Sequence, residues 1–155
     1  MEKDHRTTTH LLTAAALIWL ALIWLQSALP ASISSLESMM ILKFLQTGRI
    51  GAESGTSFPL FVLFSGITEN FIRKAAHFIE YFVFGLLADS ALRKWGRNFG
   101  EQLSCGLAAA LIDETIQYFT SGRSSQVTDV WLDFFGYCTG FLLICSIHLL
   151  RKSKE

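Results

Sequence analysis

Four long apolar stretches, residues 11–29, 71–92, 103–119 and 127–150, constrain this chain more than any other feature. The hydrocarbon core of a bilayer is roughly 30 Å thick and needs about 20 mostly apolar residues per helical crossing, and every stretch is near that length. Only the first is free of charge. The other three carry ionisable groups inside the run, which the amphipathic helices of a small soluble bundle would also do. Composition decides between these readings. Of 155 residues, 51% are hydrophobic, and a 17.3 kDa globule could not hide that much apolar surface. The expected fold is all-α: a polytopic membrane protein, one membrane domain over residues 1–155, with four transmembrane helices.

Formal net charge is zero, which argues against nucleic acid as a partner because phosphate binding needs a basic surface. Lys3 and Arg6 precede the first span as the n-region precedes the h-region of a secretory signal. The run is long for an h-region, holds Trp19 and Trp24, and is followed by a poor cleavage sequence at Gln26, Ser27 and Ala28, so it is expected to stay attached. Cys105, Cys138 and Cys145 fall inside spans and read as small packing residues rather than a disulfide framework. Lys3, Arg6, Arg93, Lys94, Arg97, Arg151, Lys152 and Lys154 share one side with both termini, against Lys43, Arg49, Arg73, Lys74 and Arg123 on the other. The bias predicts both termini in the cytoplasm.

The connection over residues 30–69 would then be external. Ser34 and Glu37 form a capping-box pattern, and Leu36, Met39, Met40, Ile41, Phe44 and Leu45 suit a short external helix lying in the interface between the first and second spans. Residues 47–57, with Gly48, Gly51 and Gly55, read as loop, and the apolar 58–64 is too short to span.

Ionisable residues within spans gather on single helical faces. Arg73, His77 and Glu80 stand at relative positions zero, four and seven; Asp113 and Gln117 share a face with Glu114 on its flank; Asp129 and Asp133 are four apart and continue into Gly136 and Gly140. The glycines let helices approach closely. At about 1.5 Å per residue, His77, Asp113 and Asp133 each lie roughly 9 Å inside the external ends of their helices, so the three sets are expected to meet. A charge at mid-membrane costs about 2.5–3.5 kcal/mol or more, so these groups must be paired, hydrated or bound to something. One reading is a polar network that only holds the helices together. A ligand, metal or proton-transfer site is the better default, because interhelical hydrogen bonds contribute only about 0.6 kcal/mol each on average. His148 gets no role, and Ser124, Ser125 and Thr128 read as cap residues of the fourth helix rather than nucleophiles.

Three blocks of this constellation resemble the VanZ-like family of bacterial membrane proteins. They are Arg73-Lys74-x-x-His77-Phe78-x-Glu80-Tyr81, Asp113-Glu114-x-x-Gln117, and Gly122-Arg123 followed by Asp129, Asp133 and Gly136. The second block often has His where this chain has Ile116. The resemblance covers about 71–140, the VanZ-like core. It implies a multi-pass cell-membrane protein, named after a member that lowers susceptibility to the glycopeptide antibiotic teicoplanin, and it implies no mechanism.

Three functions follow as expectations. The first is binding, or modification, of an envelope lipid or of the drug at a polar site formed by Arg73, His77, Glu80, Tyr81, Asp113, Glu114, Gln117, Arg123, Asp129 and Asp133. The second is a membrane-embedded hydrolase or transferase on a lipid-linked cell-wall precursor. Its acid–base groups would come from His77, Glu80, Glu114 and Asp129, and a divalent cation would be held among these residues and Asp133. The third is a proton or ion pathway.

Overall fold

The computed structural model describes residues 2–47 and 68–153, and the expected loop and short apolar run of the long connection lie outside them. Five helices are described, and no strand occurs among the described residues: α1 (Glu2–Ser27), α2 (Ala31–Thr47), α3 (Glu69–Lys94), α4 (Phe99–Phe119) and α5 (Val127–Lys152). By length and composition three of them, α1, α3 and α5, can cross a membrane. Helix α4 is 21 residues long but carries Glu101, Gln102, Asp113, Glu114 and Gln117, which dilute its apolar character.

Local signals set most helix ends. Asn98 and Glu101 close a capping box at α4, each side chain accepting from the other's backbone N–H at 2.9 and 3.1 Å. Thr68 Oγ1 accepts from Phe71 N at α3. Two expected caps differ. Helix α2 starts at Ala31, directly after Pro30, so Ser34 and Glu37 lie within it and do not begin it. Helix α5 starts after Gln126 with no side-chain cap bond; Ser125 turns to Glu114, whose Oε2 accepts from Gln126 N at 3.0 Å.

The core is built on the crossing of α3 and α5. A Cβ on Gly140 would lie 2.2 Å from the Phe82 carbonyl oxygen, one on Gly136 2.5 Å from that of Phe78, and one on Gly85 2.2 Å from that of Tyr137. No side chain fits there, so backbone meets backbone, as the Gly136 and Gly140 stripe predicts. Tyr81, Phe84, Tyr137 and Phe141 fill the centre. The two tyrosine hydroxyls donate to α4 carbonyls, Tyr81 to Ala109 at 3.1 Å and Tyr137 to Gln102 at 2.7 Å. Helix α1 closes the bundle, with Trp19 Nε1 donating to the Glu80 carbonyl and Trp24 Nε1 to that of Ala109. The three cysteines are free.

Helix α2 is turned inside out relative to a surface helix of a water-soluble protein. Leu36, Met39, Met40 and Phe44 point outward while Ser34 and Ser38 are buried. The whole molecule follows suit, with Leu17, Ile18, Leu22, Phe135 and Leu142 exposed and Asp89, Asp113 and Asp133 fully buried.

Candidate functional site

Three helices bring one side chain each to a single point. His77 of α3 places Nδ1 3.9 Å from Asp113 Oδ2 of α4 and 3.7 Å from Asp133 Oδ1 of α5. Together the three offer one ligand atom each, all within 4.8 Å of one another. These separations are too long for hydrogen bonds. His77 Nδ1, Asp113 Oδ1 and both Asp133 oxygens have no hydrogen-bond partner, although both carboxylates are fully buried. Asp113 Oδ2 is supported by Gln117 Nε2 at 3.0 Å, the intrahelical pair that the i, i+4 spacing predicts.

A small cavity of about 50 Å³ lies beside His77, and Arg73, Glu80, Arg123 and Glu37 also line it. Arg123 is held by two carbonyls at the end of α1 and in the turn after it, an Nη donating to Gln26 and Nε to Leu29, both at 3.0 Å. Partial desolvation lowers its guanidinium from the usual pKa, with Asp113 first among the groups that oppose this. Gly122, at φ 76°, supplies the left-handed turn that aims Arg123 back at α1. The same loop is tied to the α1–α2 turn by Thr120 Oγ1 donating to the Ser27 carbonyl and Ala31 N to that of Ser121. Arg73 also donates to Asn70 Oδ1.

The remaining expected site residues sit apart from this centre. Lys74 and Asp129 form a half-exposed ion pair at 2.9 Å. Glu114 is buried and faces the loop before α5, with Oε1 unpartnered. Tyr81 is fully buried in the helix interface.

Residues 12–150 match the VanZ/LLP1 family model. The chain belongs to the VanZ/LLP1 family. Comparison with curated proteins and with solved structures returned no match. The family match reaches beyond the three blocks, taking in most of α1 and nearly all of α5, and in this VanZ-like chain both helices touch the site. Ser34, Glu37, Ser38 and Ile41 of α2 also line the cavity. Sequence reading missed that contribution, although their spacing of zero, three, four and seven is a helical stripe. It also passed over Asp89, fully buried at the other end of α3 and paired with Arg93 Nε at 2.8 Å.

Proposed function

We propose that this VanZ-like chain is a multi-pass bacterial cell-membrane protein that binds the phosphate of an envelope lipid, such as a lipid-linked cell-wall precursor, at a divalent cation held by His77, Asp113 and Asp133. Lowered susceptibility to glycopeptides of the teicoplanin type is the expected outcome for the cell. In this reading α4 is the fourth transmembrane helix. Its 21 residues are about 31 Å long, and its polar Gln102, Asp113, Glu114 and Gln117 are buried while Leu111, Ile112, Tyr118 and Phe119 face outward. Helix α2 lies against the bundle at the external interface, its apolar face toward lipid, and both termini are cytoplasmic.

The carrying observation is the meeting of three possible ligand groups from three helices, in which His77 Nδ1, Asp113 Oδ1 and both Asp133 oxygens are buried without hydrogen bonds and only Asp113 Oδ2 has one, from Gln117. A network serving only to hold helices together would satisfy its own members, since a buried unpaired polar group costs about 1–3 kcal/mol and a charge more. Three atoms around a cation with bonds of about 2.1 Å and tetrahedral angles lie about 3.4 Å apart. The separations to His77 of 3.7 and 3.9 Å need close by only a few tenths of an ångström. One imidazole with two carboxylates suits a borderline or hard divalent ion such as Zn²⁺ or Mn²⁺. Arg73 and Arg123 beside it would complement a phosphate.

Metal analysis and calorimetric titration of the detergent-purified protein test this. One cation per chain is expected, with affinity reduced more than about 100-fold in His77→Ala and Asp113→Asn and with lipid-phosphate retention lost after EDTA. A protein that takes up neither ion, and whose lipid binding ignores EDTA, would sink the proposal. A hydrolytic reading has one observation in its favour. Glu80 lines the cavity beside His77, which has room for a few waters, and a cation-bound water near a carboxylate base is a hydrolytic arrangement. Turnover of a lipid-linked phosphate, rather than its retention, would select it.

A further inference from the structure

A second concavity lies at the other end of the helices from His77. It is a groove of about 930 Å³ between the last turns of α3 and α5, the first turn of α4, and Leu12 of α1. Arg93 and Lys94 reach it from α3, Arg97 from the α3–α4 connection and Arg151 from α5. Two of the four are matched by carboxylates. Asp89 holds Arg93 at 2.8 Å, and Glu101 faces Arg97 at 3.5 Å. Lys94 and Arg151 have no ion-pair partner among the described residues, so the groove keeps two positive charges.

Cations at helix C-termini are favourable in themselves, which accounts for charge at these positions. It does not account for the groove's other features. Ile144, Ile147 and Leu12 give it an apolar wall, and Ile147 is itself exposed on α5. Gln102 lines the same groove and is 3% exposed. Its Nε2 donates to the Arg97 carbonyl at 2.8 Å, but its Oε1 is buried and has no hydrogen-bond partner. A phosphate-sized positive charge, an unfilled acceptor and an apolar wall therefore stand together.

We infer that this groove binds an anionic glycerophospholipid whose headgroup carries a hydroxyl, with the phosphate on Lys94 and Arg151, the hydroxyl donating to Gln102 Oε1, and an acyl chain on Leu12, Ile144 and Ile147. Charge-assisted bonds to phosphate supply the attraction, and basic grooves between spans suit such headgroups. The site is separate from the His77 cluster and needs no cation.

The test uses the full chain in detergent, equilibrated with vesicles of phosphatidylglycerol or phosphatidylcholine, with bound lipid counted by native mass spectrometry. Phosphatidylglycerol should be retained at least tenfold more than phosphatidylcholine, with EDTA changing nothing. Lys94→Gln with Arg151→Gln should bring retention down to the phosphatidylcholine level. Both residues are exposed, and unchanged thermal unfolding would show that the fold survives. Lys152→Gln, at the same end but outside the groove, should behave as the parent. Equal retention of the two lipids would overturn the inference, as would an equal loss in Lys152→Gln, which marks generic surface charge. Full competition by millimolar inorganic phosphate would overturn it too, by showing a site for the free anion.

Discussion

Asp133 carries two carboxylate oxygens into the interior of the bundle, and neither accepts a hydrogen bond. Asn at the same place has nearly the same shape and removes the charge. If the residue exists to hold a cation, the ion-free protein bears an uncompensated cost there, and Asp133→Asn should leave stability unchanged or raise it by about 1–2 kcal/mol while abolishing cation binding. Thermal unfolding in detergent with EDTA, measured beside calorimetric titration, checks both halves. A fall of several kcal/mol would instead identify Asp133 as part of a structural network. The meeting of His77, Asp113 and Asp133 was readable from spacing and helix rise alone, because the three positions lie at one depth. Glu114 and Tyr81 belong to the same blocks but are used differently, one holding the loop before α5 and one tying α3 to α4. Spacing gives a face and a depth; which neighbour a side chain on that face meets is settled by packing.

At the level of elements, the site depends on how closely α3 and α5 cross. Gly140 lies two turns below Asp133, and any Cβ there meets the Phe82 carbonyl, which is backbone and cannot rotate away. Gly140→Ala must therefore separate the helices, at a cost of about 1–3 kcal/mol. It should also weaken cation binding, because His77 and Asp133 sit on the two helices being parted. Unaltered unfolding and unaltered affinity would show that the crossing is looser than the structure has it. Glycine spacing announced this contact in the sequence. Helix α2 was harder to read: its outward apolar face was recognised, but the inward stripe of Ser34, Glu37 and Ser38 resembles a helix start, and Pro30 had already supplied one four residues before Ser34. Helix α4 shows the converse, since buried polar groups lower its mean hydropathy although its outward face is apolar.

For the whole molecule, the question is which way the bundle faces, since an envelope-lipid site is useful only if the His77 end opens outward. Lys94, Arg97 and Arg151 cluster at the end away from His77, and the excess of Lys and Arg beside spans favours the cytoplasmic side. Helices α3, α4 and α5 are joined by short connections at alternating ends, so fixing one end fixes the others. A fluorescent protein that folds only in the cytoplasm should be bright when fused after Glu155 and dark when fused after Gly55, and a periplasm-dependent enzyme reporter should give the opposite pattern. Charge supplies an internal control. Replacing Arg93, Lys94 and Arg97 together by Gln removes three of the cations that set the bias and should lower the fraction correctly oriented, seen as signal from both reporters at one site. A bright fusion after Gly55 and a dark one after Glu155 would put the His77 cluster on the cytoplasmic side. The ligand would then have to come from the inner leaflet, and a direct encounter with an external glycopeptide would be ruled out by geometry.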